Sequence, residues 1–463
     1  MSDRSAARAV ILAAGRGTRM HSRTPKVLHQ VGGVSMLEHS LRAAESATLR
    51  APILVVRELE DAAGLALGER AQLVVQSNPG GTAAALAEAQ TALAGESLAL
   101  VLSADMPLLS SGSLTRLLEA LEGSQAGAAV LTATVREARG YGRIVRSPSG
   151  GFGKIVEDAD EPWDGAPAEV NLGAYAFALP DLWDALARLT ADNAQGELYL
   201  SWIPQMVAGG AVTIEVADPE EAIQVNDRVQ LAAAEAAMRS RTLRRLMLSG
   251  VTVVDPRATW IDCDVEVGGD SLIAPGTVIR GRSRIGSNCV IGPFAELEDV
   301  ELGSGCRVGR SHLSGCKLAD GVDIGPFNRV RPETVMGPMS HLGTFTEVVR
   351  SRVGEGTQIP HLSYVGDAEL GRDVNVGAGS ITANWDGQMK HRTLVRDGTR
   401  LGSGTVLVAP VEVGEGAYTG AGSVITSDVP AGSLAVSRGR QRNVLGWVAR
   451  RRSKSSTESE APR

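Results

Sequence analysis

Hydrophobic and polar residues alternate in two different ways along the chain, one in each half. In the first half, short apolar runs are separated by segments rich in Ala and Leu that have helical spacing. The apolar runs predict buried strands at residues 9–14, 53–56, 73–76 and 98–103, and the segments between them predict helices at 82–93 and 113–121. Alternating strands and helices are typical of a doubly wound sheet. We therefore expect an α/β, Rossmann-like domain over residues 1–227.

The second half carries a six-residue repeat in which an aliphatic residue is followed by a small one. Pairs of this kind include Ile285-Gly286, Ile291-Gly292, Leu302-Gly303, Val308-Gly309, Leu318-Ala319, Ile324-Gly325, Val365-Gly366, Leu370-Gly371, Val376-Gly377, Leu401-Gly402 and Val413-Gly414. A six-residue period without helical spacing is typical of a β-helix with one inward aliphatic residue per face. We predict a left-handed parallel β-helix of hexapeptide repeats over residues 251–445.

A long Ala-, Arg- and Leu-rich segment separates the two patterns. It has helical spacing from 226 to 248, and we assign 228–250 to a linker helix. After the repeats, the polar stretch from Ser453 onward resembles a disordered segment, so we expect residues 446–463 to form a partly disordered tail.

Composition narrows the function. The 463 residues carry a net charge of −7 and are 43% hydrophobic, which argues against a nucleic-acid binder. The four cysteines form no CxxC pair and fit small buried residues in a reducing compartment. The first apolar run is too short for a signal peptide and no run reaches membrane-spanning length, so we expect a cytoplasmic protein without membrane insertion.

A glycine-rich turn follows the first predicted strand. Residues 12–26 read LAAGRGTRMHSRTPK, with glycines at 15 and 17 and cations at Arg19 and Lys26. Glycines after a first strand let backbone amides approach a phosphate. The spacing matches neither a Walker motif nor a dinucleotide fingerprint, so the turn alone predicts an anion site and leaves a tight turn with surface cations as the alternative.

The pattern LxxGxGTRM followed by PK resembles the signature of sugar-1-phosphate nucleotidyltransferases. Further pieces follow in the order of that family: Gln76 beside Gly81-Thr82, Asp105 ending LALVLSAD, Gly142 in GYGR, Glu157 in IVED, Asn171 in NLG and Asn226 in QVND. With the hexapeptide half, nearly the whole chain resembles the bifunctional family of N-acetylglucosamine-1-phosphate uridylyltransferase and glucosamine-1-phosphate N-acetyltransferase.

The resemblance implies a first site that binds UTP and UDP-N-acetylglucosamine. Arg19 and Lys26 would be catalytic, and Asp105 and Asn226 would hold Mg²⁺, which prefers oxygen ligands. The residues implied in binding are Leu12, Ala13, Ala14, Gly15, Lys26, Gln76, Gly81, Thr82, Ser103, Asp105, Gly142, Glu157, Asn171 and Asn226. The alternative interpretations are a turn or helix-capping aspartate at Asp105 and a cap on the following helix at Asn226.

Three departures from the family pattern fall on the nucleotide pocket. Ala83-Ala84 stands where the family often has Gly-His, Ser103-Ala104 where it often has Tyr-Gly, and Trp202 where it usually has Asp. The sequence therefore leaves the base preference open while it predicts the reaction class.

The second site is implied by residues 359–367, IPHLSYVGD, which resemble the family's GHLxYxGD segment. His361 would be the base for an attacking amine, since imidazole titrates near neutral pH; a surface histidine is the alternative. The resemblance implies that Arg331, Tyr364 and Asn375 bind the sugar phosphate. It implies acetyl-CoA contacts from Ala378, Asn384, Trp385, Ser403, Ala421 and Arg438.

One departure affects the second site. Val349 stands where the family's FxExK segment has a lysine, and the neighbouring Arg350 should point to the opposite face of a strand. Three interpretations follow: a bifunctional enzyme, an enzyme whose β-helix only assembles the protein, and an inactive regulatory subunit. The first is favoured and implies Mg²⁺, acetyl-CoA as co-substrate, a homotrimer and a role in peptidoglycan synthesis.

Overall fold

The computed structural model describes residues 7–15, 17–59, 67–77 and 80–458. The chain divides into two compact units, which consist of Met1–Arg245 with Ile261–Asp264 and of Leu246–Trp260 with Val265–Arg463. The fold class expected for each half is confirmed. No helix in the described ranges is long and apolar enough to span a bilayer.

The first unit is built on a mixed sheet. The strands of this unit are β1 (Ala7–Leu12), β2 (Gln30–Val31), β3 (Val34–Ser35), β4 (Ile53–Val56), β5 (Gln72–Val75), β6 (Leu98–Ser103), β7 (Ala128–Val135), β8 (Arg143–Arg146), β9 (Phe152–Val156), β10 (Ala168–Ala178) and β11 (Ala211–Glu215). Strands β2 and β3 pair with each other in a separate two-stranded sheet. The main sheet has the order β11-β7-β10-β6-β1-β4-β5, with β8 attached to β10 and β9 attached to β8. Strands β6, β1, β4 and β5 are parallel, whereas β10 runs antiparallel to β6 and β7.

Helices cover both sides of this sheet. They are α1 (Met36–Ala47), α2 (Thr82–Glu88), α3 (Ser111–Glu122) and α4 (Leu179–Ala187), with 3₁₀ turns at Thr18–Met20, Lys26–Leu28, Leu200–Gln205 and Pro219–Ala222. On β1, Ile11 packs into one apolar cluster and Val10 into the other. Alternate residues of a strand point to opposite sides, so a strand covered on both sides is apolar throughout.

Helix α2 ends earlier than the sequence predicts. The Ala- and Leu-rich pattern extends to residue 93, but the backbone amides of Ala89 and Gln90 bond to the carbonyls three residues before them, at Leu86 and Ala87. These tighter turns end the regular α-helix at Glu88. Side-chain composition alone does not reveal such a change in hydrogen bonding.

The second unit is a parallel β-helix with three faces. The first face has the strands Thr252–Val253, Leu272–Ile273, Val290–Ile291, Arg307–Val308, Asp323–Ile324, His341–Thr344, Gln358–His361, Asn375–Val376, Arg400–Leu401, Tyr418–Thr419 and Leu434–Ala435. The second has Trp260–Ile261, Val278–Arg280, Glu296–Glu298, His312–Ser314, Arg329–Val330, Glu347–Val349, Tyr364–Gly366, Ile381–Ala383, Val406–Val408 and Val424–Ile425. The third has Glu266–Val267, Arg284–Ile285, Glu301–Leu302, Lys317–Leu318, Val335–Met336, Arg352–Val353, Ala368–Leu370, Thr393–Val395 and Val411–Val413.

The aliphatic residue of each repeat points into the β-helix. Ile291, Val308 and Ile324, on consecutive coils of the first face, are almost completely buried and pair in parallel register. The polar side chain of Asn328, which is buried, is hydrogen-bonded: its amide donates to the carbonyls of Gly325 and Gly343, 2.7 Å each. The stacked aliphatic rows explain why the repeat period predicts this fold.

Two further helices flank the β-helix in the sequence. Helix α5 (Arg228–Leu248) begins at a cap supplied by Asp227, whose carboxylate accepts from the backbone amide of Gln230 at 2.8 Å. Helix α6 (Trp447–Glu458) lies in the segment expected to be a partly disordered tail, and residues 459–463 lie outside the described residues. A 3₁₀ turn at Pro256–Ala258 precedes the second face.

Candidate active sites

A large cavity of the first unit opens where the parallel strands end. It measures about 740 Å³. Its lining comes from the residues that follow β1, β4, β5 and β6, because the carboxyl ends of parallel strands lie along one edge. Of the residues implied by the sequence, the cavity is lined by Leu12, Ala13, Ala14, Gly15, Lys26, Gln76, Gly81, Thr82, Ser103 and Asp105.

The glycine-rich turn leaves room for Lys26. Gly17 has a φ of 58°, and a β-carbon there would lie 2.6 Å from the β-carbon of Lys26. Glycine is therefore required twice, for the left-handed backbone and for the lysine stem that passes over it. Arg19, which follows on the Thr18–Met20 turn, is exposed and does not line the cavity.

Lys26 joins two residues that are distant in sequence. Its Nζ donates to Asp105 Oδ2 at 2.6 Å and to Asn226 Oδ1 at 2.9 Å. Because Asp227 caps α5, the side chain of Asn226 is available to face the lysine. The structure thus brings together three of the residues singled out in the sequence, and Asn226 is not the helix cap that the alternative interpretation suggested.

The Asp105 carboxylate is held in its charged form. It is 6% exposed, and burial alone would raise its pKa. The charge and hydrogen bond of Lys26, with hydrogen bonds from Ser103 and Gln224, outweigh burial and keep the pKa below its ordinary value. The result is a buried anion with ordered partners at the edge of a large cavity.

This donor set suits Mg²⁺. The oxygens of Asp105 and Asn226 converge on the point where the Lys26 ammonium now lies. Mg²⁺ takes oxygen ligands and keeps several waters, so one carboxylate and one amide are sufficient protein ligands. Across the described residues no cluster of three or more His, Cys, Asp or Glu side chains is arranged to hold a metal.

A second loop closes another side of the cavity. Gly81 has a φ of 97°, and a β-carbon there would lie 2.7 Å from the carbonyl oxygen of Leu198. The Thr82 hydroxyl accepts from the backbone amide of Leu200 at 3.1 Å. Ala83, which replaces the family's glycine, is completely buried and therefore presents no side chain to the cavity.

Gly142, Glu157 and Asn171 form a separate group. The Gly142 carbonyl accepts from the backbone amide of Asn171 at 2.8 Å. A β-carbon on Gly142 would lie 3.0 Å from the Glu157 carboxylate. The Ser201 hydroxyl donates a short hydrogen bond to Glu157. Burial holds the pKa of Glu157 above its ordinary value, although this hydrogen bond opposes the shift. These residues do not line the large cavity.

Three polar residues of the first unit were missed by the sequence. Gln224 and Ser201 bond to the two carboxylates. Gln224 begins the QVND segment, in which only Asn226 was singled out, whereas Ser201 stands in no quoted motif. Arg57 lines the cavity directly after strand β4. The position of Arg57 at the carboxyl end of a buried strand was a usable signal, because such ends collect ligand-binding residues.

On the β-helix, His361 ends a strand of the first face and Tyr364 begins the next strand of the second face. His361 is exposed, and its carbonyl accepts from the Ser363 hydroxyl at 2.7 Å. Leu362, at the corner between them, has a φ of 46°. The sequence motif therefore folds into one corner with both candidate side chains beside it.

Successive coils continue this corner as a column along the axis. On each coil, a glycine amide bonds to a carbonyl of the coil before it. The bonds run from Gly379 to His361 at 3.4 Å, from Gly404 to Ala378 at 2.7 Å and from Gly422 to Ser403 at 2.8 Å. Arg438 donates to the carbonyl of Ala421, on the next coil, at 2.7 Å. Asn375 lies on the same face, in register with Gln358. Most of the implied acetyl-CoA residues thus follow one line.

Asp367 organises the neighbouring corner. Arg350, with a φ of 47°, donates to both of its oxygens at 2.7 and 2.8 Å. The Asn384 amide, which is buried, donates a short hydrogen bond to the same carboxylate, while Trp385 beside it is 57% exposed. The hydrogen bonds from Arg350 hold the pKa of Asp367 below its ordinary value.

Val349 is enclosed at the end of its strand. It is 2% exposed and pairs in register with Gly366, one coil further. On the same strand Glu347 accepts from Arg331 at 3.1 Å and lies in register with Tyr364. The cavity that Tyr364 lines measures only about 10 Å³, too small for any of the implied substrates. The implied sugar-phosphate residues therefore lie on an open face.

Comparisons with known proteins agree with this division. Residues 9–205 match the family of MobA-like NTP transferase domains, and residues 264–299 match the bacterial transferase hexapeptide family. A protein of Mycolicibacterium gilvum named "Bifunctional protein GlmU" is 44% identical, over 100% of this chain and 95% of its own length. Proteins of the same name from Brevibacillus brevis and Rhodococcus jostii are 44% and 45% identical over 95% and 96% of this chain, and over 96% and 92% of their own lengths. The chain therefore belongs to the GlmU family of bifunctional transferases.

Proposed function

We propose that the chain makes UDP-N-acetylglucosamine in two steps. The β-helix transfers an acetyl group from acetyl-CoA to glucosamine-1-phosphate, and the first unit couples the product to UTP and releases pyrophosphate. The observation that carries the second step is the Lys26, Asp105 and Asn226 cluster beside a cavity of about 740 Å³. Both UTP and acetyl-CoA are made in the cytoplasm, where we place the enzyme.

Uridylyl transfer needs positioning and charge neutralisation rather than covalent chemistry. A sugar phosphate oxygen attacks the α-phosphorus of UTP in line, and the bond to pyrophosphate breaks. The amides of the glycine-rich turn bind the phosphates, while Arg19 and Lys26 neutralise the charge that develops on pyrophosphate. Mg²⁺ held by Asp105 and Asn226 would neutralise further phosphate charge.

The sugar contacts follow from the second group of residues. Asn171 and Glu157 offer an amide and a carboxylate next to Gly142, whose missing side chain allows Ile155 and Glu157 to approach closely. The acetamido group and hydroxyls of N-acetylglucosamine need donors and acceptors of this kind. We therefore assign these three residues to the sugar, and Gln76, Gly81 and Thr82 to the base and ribose.

Acetyl transfer requires an amine that has lost its proton. We assign His361 as the base, since its imidazole is exposed at the corner that it shares with Tyr364. The amine nitrogen attacks the thioester carbonyl and its proton passes to the imidazole. The carbon–sulfur bond then breaks, and the imidazolium gives that proton to the sulfur, so that CoA leaves as the thiol. Arg331 would bind the sugar phosphate, with Tyr364 and Asn375 on the sugar.

Acetyl-CoA would lie along the column that begins at His361. The implied contacts are Ala378, Asn384, Trp385, Ser403, Ala421 and Arg438. A second copy of the chain would close this open groove in a homotrimer. An exposed apolar corner supports assembly: Phe327 and Phe345, which are 49% and 57% exposed, stack at 5.3 Å, and Arg310 lies 5.4 Å from the ring of Phe327.

A second candidate function is an enzyme with uridylyl transfer alone, in which the β-helix only assembles the protein. Val349 favours it, because this position carries no charge and the neighbouring Arg350 is engaged by Asp367.

Product masses separate the two functions. Purified protein is incubated with glucosamine-1-phosphate, acetyl-CoA, UTP and Mg²⁺. UDP-N-acetylglucosamine from this mixture means that both sites work. If the product forms only from ready-made N-acetylglucosamine-1-phosphate, the β-helix is a scaffold, and if it forms from neither, the proposed function is wrong.

A further inference from the structure

We infer that Lys26 is a latch on the cation site: without nucleotide its ammonium fills the position of the divalent cation, which binds well only after nucleotide phosphates draw the lysine away. The inference rests on the proposed function, because it concerns the order in which cation and nucleotide enter the uridylyltransferase site.

The geometry shows the competition directly. The Lys26 Nζ lies 2.6 Å from Asp105 Oδ2 and 2.9 Å from Asn226 Oδ1, the two oxygens assigned to the metal. Mg²⁺ bonds to its oxygens at about 2.0–2.1 Å. A divalent ion at these oxygens would therefore stand within a few ångströms of a second positive charge, and the two cations repel each other. One of them must leave.

The closed arrangement is also electrically satisfied. The side chains of Lys26 and Asp105 are 11% and 9% exposed, and the ammonium neutralises the buried carboxylate. Hydrogen bonds from Ser103 and Gln224 occupy further lone pairs of Asp105. A cation from solvent thus meets a neutral, hydrogen-bonded pair rather than a free anion. Its apparent affinity is the intrinsic affinity multiplied by the fraction of molecules in which the latch is open.

The released lysine stays close to the phosphates. Its stem crosses Gly17, whose missing β-carbon would lie 2.6 Å from the β-carbon of Lys26. Gly17 belongs to the same turn as Gly15, which lines the cavity where we place the triphosphate. A flexible lysine side chain can therefore exchange its carboxylate for a phosphate by rotating about its own bonds.

Such an exchange couples the two ligands. Phosphates that hold Lys26 free the oxygens of Asp105 and Asn226 for the cation. By thermodynamic linkage, a bound cation strengthens nucleotide binding by the same factor. The site would therefore remain closed to divalent ions until the nucleotide arrives, and Lys26 would move from the metal ligands to the substrate.

The test measures binding of Mn²⁺ alone to the full-length protein, from the electron paramagnetic resonance signal of free Mn²⁺. Lys26→Gln removes the charge and keeps a donor for the buried carboxylate. We expect it to bind Mn²⁺ at least about tenfold more tightly than the wild type. Lys317→Met is the matched control, since it removes a lysine whose ion pair with Glu301, at 2.9 Å, lies on the β-helix.

A rise in melting temperature with Mn²⁺, larger for Lys26→Gln than for the wild type, checks that the variant is folded and binds the ion. Equal Mn²⁺ affinity in the wild type and in Lys26→Gln overturns the latch. The double variant Lys26→Gln with Asp105→Asn should lose the added affinity. If it does not, the ion binds elsewhere and the metal assignment of the proposed function falls. If the Mn²⁺ affinities are equal but the wild type still makes UDP-N-acetylglucosamine, the latch is refuted and the proposed function stands.

Discussion

The two candidate sites are built in opposite ways. In the first unit, side chains from distant parts of the sequence face one another: Lys26 reaches Asp105 and Asn226 within 2.9 Å, beside a cavity of about 740 Å³. On the β-helix, His361 and Tyr364 lie on an outer surface, and the cavity beside Tyr364 measures about 10 Å³. A parallel sheet collects strand ends at one edge, whereas a β-helix fills its own interior. We therefore expect the first site to form within one chain and the second to require another surface that encloses its ligand.

The strongest test of this contrast is Asp105→Ala. Loss of the buried carboxylate removes the partner of Lys26 and one of the two metal ligands, so uridylyl transfer should fall by at least about 10²–10³-fold. Acetyl transfer should be unchanged, because Asp105 belongs to the other unit. Each reaction is measured separately, from N-acetylglucosamine-1-phosphate with UTP and from glucosamine-1-phosphate with acetyl-CoA. Loss of both activities in a protein that still melts cooperatively would refute independent sites.

His361→Ala is the reciprocal test. Removing a general base should lower acetyl transfer by about 10²–10⁴-fold and leave uridylyl transfer intact. His341→Ala is a matched control, because His341 lies on the same face but bonds to Asp323 at 2.9 Å and stands two coils away from Asn375. Equal losses in the two variants would mean that the effect comes from the fold and not from the base.

The sequence predicted the fold of each half more readily than the contacts within the sites. In the β-helix the aliphatic residue at every sixth position must point inward, so the repeat alone predicts the coiled fold. In the first unit the motifs singled out Lys26, Asp105 and Asn226, but the contacts of Lys26 with the other two span 79 and 200 positions of the sequence. The bond from Lys26 to both oxygens depends on where its side chain turns.

Two residues that were missed in the sequence escaped notice because their role depends on a single contact. Gln224 and Ser201 act through single hydrogen bonds to Asp105 and Glu157. Ser201 has no spacing that marks it, and the QVND segment that begins at Gln224 pointed to Asn226 alone. Val349 was recognised as a departure, but its enclosure could not be foreseen, because it depends on the turn at Arg350 and on that residue's pairing with Asp367.

Gly17→Ala tests how closely the first site is packed. An alanine there would have a strained backbone at φ 58° and would bring its β-carbon to 2.6 Å from that of Lys26. Displacing the lysine by a fraction of an ångström should lower uridylyl transfer by about tenfold or more. Gly150→Ala is the control, because Gly150 has a φ of 85° and no neighbour within 4 Å of an added β-carbon. It carries the backbone strain of Gly17→Ala without the contact with Lys26. Similar losses of activity in the two variants would show that strain alone is responsible.

The smallest expected effect concerns the open site, at Val349→Lys. Val349 is only 2% exposed and Asp367 is already paired with Arg350, so a lysine at this position acts on the phosphate of the acceptor sugar only if its long side chain extends to the surface. On an open surface such an ion pair is worth at most about 1 kcal/mol, so the KM for glucosamine-1-phosphate should fall by no more than about fivefold. Uridylyl transfer is the internal control and should not change. A gain in acetyl transfer far above this range would mean that the wild-type β-helix lacks an essential cation. Such a gain would favour the second candidate function, in which the β-helix only assembles the protein. A small gain would mean that an exposed site, whose ligand is enclosed by a second surface, depends little on any single charge.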